Sequence, residues 1–141
     1  MNEKLTKLKD EFLMCLYDIS RIPMVQNIAG FIQGEDAFLL RLYLNGPMQP
    51  KQLSEELKVT KGRITALILS LKTKKFISIS KNPDDKRSIV ITLSYIGKSY
   101  LEEKFINIEK YFDEIFQLIG VKEVEVLVDL LKNILNKVGR S

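Results

Sequence analysis

Apolar residues recur every three or four positions along most of this chain, but over two short stretches they alternate every second position. Those stretches, Phe76 to Ser80 and Ile89 to Leu93, are β-rich. Between them lies Lys81-Asn82-Pro83-Asp84-Asp85-Lys86-Arg87-Ser88, a polar, charged, turn-forming segment. The two runs are therefore expected to pair as a hairpin with an exposed tip. A mainly α (α+β) fold follows, in which a set of helices carries one β-hairpin.

The helices can be read one by one. Leu5, Leu8, Phe12, Leu16 and Ile19 write one stripe along a helix from about Asn2 to Ser20. Ile22 to Gly34, with Pro23 and two glycines, loses the period and reads as a loop or broken turn. A second helix follows with Phe38, Leu39, Leu42 and Tyr43 inward, and Asn45-Gly46-Pro47 stops it. Pro50 suits the first turn of a short third helix with Leu53 and Leu57 inward, ending near Lys58. Thr60 can cap a fourth helix, Lys61 to about Lys74, with Ile64, Leu67, Ile68 and Leu71 on one face and Lys61, Arg63, Thr65, Ala66 and Ser70 on the other. Two helices joined by a few residues, the second with polar and basic side chains at its exposed start, give a helix-turn-helix. The hairpin after it is then the wing of a winged helix-turn-helix lobe over residues 35–93.

Ser94 can cap a further helix in which Leu101, Phe105, Ile108, Phe112, Ile115 and Ile119 step by four and three in turn. After Gly120 a last helix repeats the pattern with Val121, Val124, Val128, Leu131, Leu135 and Val138, widened by Leu127 and Ile134. Within a single domain over residues 1–141, residues 1–20 and 95–141 are thus expected to be dimerisation helices, buried against a second copy about a two-fold axis. An internal three-helix pack is the alternative.

Composition narrows the function. The amino terminus, Met1 to Asp10, lacks the unbroken apolar stretch of a secretory signal, and even Val121 to Leu135 is interrupted by charge. A cytoplasmic protein that does not span a membrane is expected. There is no histidine and a single cysteine, so a zinc site, a histidine-based triad and an internal disulfide are not expected. No Gly-rich phosphate loop or nucleophile elbow is present, and the adjacent carboxylates Glu55-Glu56 and Asp84-Asp85 do not converge, so neither an enzyme nor a cofactor is expected. Charge is unevenly spread: Lys51 to Arg87 holds ten basic residues against four acids within a chain of net charge +4. A basic middle in a slightly acidic frame is the footprint of a surface that meets a polyanion, with a solvated lysine-rich helix face as the alternative.

From Gln49 to Lys98 the chain resembles the MarR family of transcriptional regulators. The helix-turn-helix aligns through Gln52-Leu53-Ser54-Glu55-Glu56-Leu57, Val59-Thr60-Lys61, Ile64-Thr65 and Leu71. Asp85-Lys86-Arg87 matches the family's Asp-x-Arg in the wing, and Leu93-Ser94-Tyr95-Ile96-Gly97 its Leu-Thr-x-x-Gly closing signature. Three positions depart: Lys75 stands where a helix-ending glycine is usual, Ile79 where an arginine is common, and Ala66 where a basic residue often sits.

The resemblance implies a homodimer that places paired recognition helices in successive major grooves of double-stranded DNA. Thr60, Lys61, Arg63 and Thr65 would contact phosphates and base edges, with Arg63 the best candidate for bidentate guanine recognition. Lys81, Lys86 and Arg87 would serve the wing, with Asp85 orienting Arg87. The expected function is a repressor that leaves its operator when a small-molecule effector or another signal alters the spacing of the two helices. Tyr17, Phe31, Phe38, Tyr43, Tyr100 and Phe105 could line a pocket for such a ligand or pack a core. Cys15, beside Phe12 and Leu16, reads as a buried, inert thiol more readily than as a redox switch. The rival reading is a winged-helix module that binds a protein and uses its basic stretch on an acidic partner.

Overall fold

The computed structural model describes residues 2–32 and 34–139. Its elements run α1 (Glu3–Ser20), α2 (Pro23–Ala29), α3 (Glu35–Asn45), α4 (Pro50–Leu57), α5 (Lys61–Thr73), β1 (Ile77–Lys81), β2 (Ile89–Leu93), α6 (Tyr95–Ile119) and α7 (Val121–Val138). The strands pair antiparallel with Ile77 opposite Leu93, Ile79 opposite Ile91 and Lys81 opposite Ile89. The mainly helical fold with one hairpin agrees with the sequence reading.

Two local expectations need correction. Pro23 opens α2 instead of breaking the chain, because a proline at the first helical position lacks only an N–H that would have had no helical partner. Met24, Val25 and Ile28 then give this short helix a half-buried face. Tyr43, expected inward, is 40% exposed, whereas its neighbours Phe38, Leu39 and Leu42 are buried.

The core lies where α3, α4, α5 and the hairpin meet. Phe38, Leu39, Leu53, Ile64, Leu71, Ile91 and Leu101 are essentially fully enclosed. Met48, in the α3–α4 connection, pairs with Ile91 on the open edge of β2, with N–H···O distances of 3.0 and 2.8 Å in the two directions. One extended residue thus covers part of a strand edge that would otherwise be unpaired.

The end of α5 is joined closely to the start of α6. Phe76 N–H donates to the Leu71 carbonyl at 3.0 Å and Lys75 N–H to the Lys72 carbonyl at 3.0 Å, the two bonds of a Schellman termination. Lys75 accordingly has φ +65°, the conformation glycine would take without strain. This turn starts β1 at Ile77 and leaves Phe76 outside the ladder, one residue later than the sequence suggests. Phe76 is used otherwise: its ring stacks on Tyr100 at 4.6 Å, and its carbonyl accepts from Ser94 N–H at 3.0 Å. Ser94 Oγ donates to the Lys75 carbonyl at 2.6 Å and accepts from Gly97 N–H at 3.0 Å, which caps α6 as expected. A Cβ on Gly97 would stand 2.2 Å from the Phe76 carbonyl oxygen and 2.9 Å from Leu93 Cδ1.

Two acids in the first turn of α3 reach outward from the core. Glu35 accepts from Lys74 at 2.6 Å and from Ser70, both on or just after α5. Asp36 accepts from Tyr100 Oη at 2.8 Å and pairs with Lys104, both on α6.

The chain divides within α6 into two compact units, one ending at Lys104 and the other beginning at Phe105. In the second unit Tyr111, Phe112 and Phe116 form a short aromatic ladder, with centroid spacings of 5.4 and 5.6 Å. Among the described residues, none of α1 or α7 is buried. Nor is any of their helices long and apolar enough to cross a membrane.

Two substitutions test this junction by thermal unfolding at matched chain concentration. Gly97→Ala is expected to destabilise by about 1–3 kcal/mol, since the new methyl meets backbone that cannot move aside cheaply. Lys75→Gly is expected to stabilise by roughly 0.5–1 kcal/mol by releasing left-handed strain. A neutral Gly97→Ala, or a lowered Tm for Lys75→Gly, would contradict this description of the junction.

Candidate nucleic-acid interface

The helix-turn-helix is set by its caps. Gln49 and Gln52 cap the start of α4 reciprocally, and Pro50 occupies its first turn. Lys58 ends α4 with φ +55°, and the Thr60 side chain then accepts from Arg63 N–H at 3.1 Å to begin α5. These devices leave Ile64, Leu67 and Leu71 buried, and Lys61, Gly62, Arg63, Thr65, Ala66, Leu69, Lys72 and Thr73 exposed. Ser70, expected on the outer face, is half-buried because it donates to Glu35.

The residues singled out in the sequence differ in what they still have to offer. Thr60 spends an acceptor on its own helix, and Thr65 donates its hydroxyl to the Lys61 carbonyl at 3.0 Å. Arg63 lies at the α3 side of the exposed face, where a Cβ on Gly34 would stand 4.0 Å from a guanidinium nitrogen, and its charge acts on Glu35. Among the described residues, Lys61, Lys72, Lys81 and Lys86 take part in no ion pair within 4.0 Å. Their charge faces solvent.

In the wing tip, Asp84 N–H donates to Asn82 Oδ1 at 3.0 Å and Arg87 N–H to Asp85 Oδ1 at 3.0 Å, so two side chains shape the turn. Arg87 Nε also lies 3.4 Å from Asp85 Oδ1, with the Arg87 side chain 93% exposed. Asp85 thus holds the base of an arginine whose guanidinium stays in water.

Behind the outer face, partly buried charge is balanced. Burial raises the Glu35 carboxyl, but the bonds from Lys74 and Ser70, with the Lys74 and Arg63 charges, outweigh it and hold the group below its ordinary pKa. Burial likewise opposes the Lys104 charge, yet Asp36 and Tyr100 raise its pKa. Burial, then the bond to Asp36, raises that of Tyr100. The Lys104 ammonium lies 5.8 Å from the Phe31 ring and 5.3 Å from the Tyr100 ring. Of the aromatics singled out in the sequence, Phe31 and Tyr100 therefore share one cation. Phe38 is core, and Tyr17 lies under Arg21 at 5.8 Å. The partnership of Asp36 with Lys104 gave no sequence signal, because 68 residues separate the two.

Cys15 is exposed in the single chain, contrary to the buried thiol expected, because the stripe beside it is itself exposed. Among the described residues no group of His, Cys, Asp and Glu could hold a metal ion. The outer face of α5 and the wing present cations to solvent, and this arrangement suits an extended polyanion.

Comparison with known proteins agrees with this geometry. Residues 35–89 match the MarR family. The chain is 30% identical over 103 residues to YkoM, a helix-turn-helix-type transcriptional regulator of Bacillus subtilis (strain 168), covering 73% of this chain and 67% of YkoM. It is 26% identical over 115 residues to YwhA, a regulator of the same type and organism, covering 81% of this chain and 78% of YwhA. The crystal structure of the YusO protein from Bacillus subtilis superposes with a TM-score of 0.78 at 17% identity, covering 96% of this chain and 98% of YusO. YkoM and YwhA are described as regulators of transcription, not as enzymes. The chain belongs to the MarR family of winged helix-turn-helix transcriptional regulators.

Proposed function

We propose that this protein is a homodimeric, sequence-specific DNA-binding repressor that works in the cytoplasm. The observation that carries the reading is the outward row of cations on α5 and the wing, standing over a core that orders both elements. Lys61, Lys81 and Lys86 are free to neutralise phosphates, and Arg87 can do so while Asp85 steadies it. Thr60 and Thr65 help to fix the start of the recognition helix at the backbone. Arg63, at the edge of the exposed face and beside Gly34, suits a phosphate flanking the groove better than a guanine at its centre.

The exposed stripes of α1 and α7 support the dimer. Leu5, Leu8, Phe12 and Leu16 on α1 are 47–57% exposed, and Leu127, Leu131 and Leu135 on α7 are 44–50% exposed. Contiguous apolar surface of that extent is a partner surface. Two copies about a two-fold axis would present two recognition helices to two half-sites. Occupancy of a duplex by such a dimer excludes other proteins, which is repression in its simplest form. A small ligand or another signal would relieve it by shifting the equilibrium between dimer forms that differ in helix spacing. The Asp36, Tyr100 and Lys104 cluster, which ties α3 to α6, is a contact such a shift would have to strain or break.

Electrophoretic or anisotropy titrations of duplex DNA over a range of salt concentrations test the reading. Wild-type affinity is expected to fall steeply with salt. Arg87→Ala and Arg63→Ala are each expected to weaken binding evenly across sequences and to reduce the salt slope by about one. Loss of preference at a single base pair in Arg63→Ala, at a cost of roughly 1–3 kcal/mol, would instead assign that residue to base reading. No binding to any duplex in dilute buffer would reject the DNA reading in favour of a winged-helix module that binds an acidic protein.

A further inference from the structure

The outward line of α5 is formed by Gly62, Ala66, Leu69 and Thr73, four, three and four positions apart, so these residues follow one line of the helix opposite buried Ile64, Leu67 and Leu71. That line is flanked by charge but carries none. Lys61 and Lys72 lie to one side and Arg63 to the other. Thr73 donates its hydroxyl to the Leu69 carbonyl at 2.8 Å and Thr65 to the Lys61 carbonyl at 3.0 Å. The centre of the face therefore holds no guanidinium, amide or carboxylate to match the polar edges of bases, and its hydroxyl protons are spent on the helix itself.

What the face does offer is apolar. Leu69 is 67% exposed, and Ala66 beside it is also exposed. A single exposed leucine is ordinary on a protein surface. This one stands between the flanking cations, on the line that would enter a groove first. Gly62, without a side chain, lets the helix backbone approach closely there. In the major groove the apolar feature that distinguishes one base from the others is the C5-methyl of thymine.

On the DNA-binding reading above, we propose that Ala66 and Leu69 read thymine through its C5-methyl group, while Lys61, Lys72 and Arg63 hold the flanking phosphates. The half-site is then rich in thymine at its centre, and selectivity rests on methyl contact in place of arginine forks.

The test begins with duplexes selected from a random-sequence pool by the purified full chain. Each half-site thymine is then replaced by deoxyuridine, which lacks only the methyl. Affinity is expected to fall roughly fourfold for each methyl contacted. Leu69→Ala is expected to lose the preference for thymine over deoxyuridine at one position while keeping the wild-type salt slope. Equal affinity for thymine and deoxyuridine duplexes, or a selected site without half-site thymine, would overturn the inference and leave DNA binding standing. Full retention of the preference in Leu69→Ala would overturn the role of Leu69. Failure to recover or bind any duplex would remove both this inference and the function it rests on.

Discussion

The contact between the Gly97 backbone and the Phe76 carbonyl is the constraint on which the cationic surface of α5 and the wing depends. It lets α6 begin directly against the residue where α5 ends and β1 starts, and Ser94 bonds to both sides of that point. Recognition helix, wing and the long helix after them are consequently tied at one place. A larger residue at Gly97 would separate all three at once, whereas a change in the wing tip would move only the tip.

Charge reinforces this packing from the other end of α3. Glu35 and Asp36 sit in its first turn, where the helix dipole favours anions. Glu35 ties to the end of α5 and Asp36 to α6. The two acids are adjacent in sequence but serve different helices, because neighbouring residues on a helix point about 100° apart. The Lys104 pair is partly buried, so desolvation offsets much of its attraction. Its value here is to set α6 against α3 with hydrogen bonds that have direction.

Much of this fold was legible in the sequence because periodicity and capping are local. Asn45-Gly46 ends α3, Thr60 begins α5 and Gly120 precedes α7 as the sequence indicates, and the alternating runs locate the hairpin to within one residue. Lys75, noted as a departure from the family's glycine, takes the left-handed conformation that glycine supplies. The features missed are long-range or depend on context. The Met48 bridge to Ile91 joins residues 43 positions apart, and neither carries a pairing signal. Pro23 reads as a breaker in sequence, because only the start of α2 shows that it stands in a first turn. Thr65, Ser70 and Arg63 are all polar or basic in sequence, and only geometry separates a hydroxyl spent on its own helix, one turned inward to Glu35 and a guanidinium at the edge.

A symmetric reading of DNA requires two copies, and the apolar stripes of α1 and α7 require cover. The proposed dimer would meet both needs with one partner of the same sequence, since removal of apolar area from water drives association. Sedimentation equilibrium of the purified chain, without DNA and over a wide concentration range, examines this most directly. A dimer held by these stripes is expected to show a mass twice the 16.3 kDa of one chain down to low concentration. A folded species that remains at 16.3 kDa throughout would contradict it.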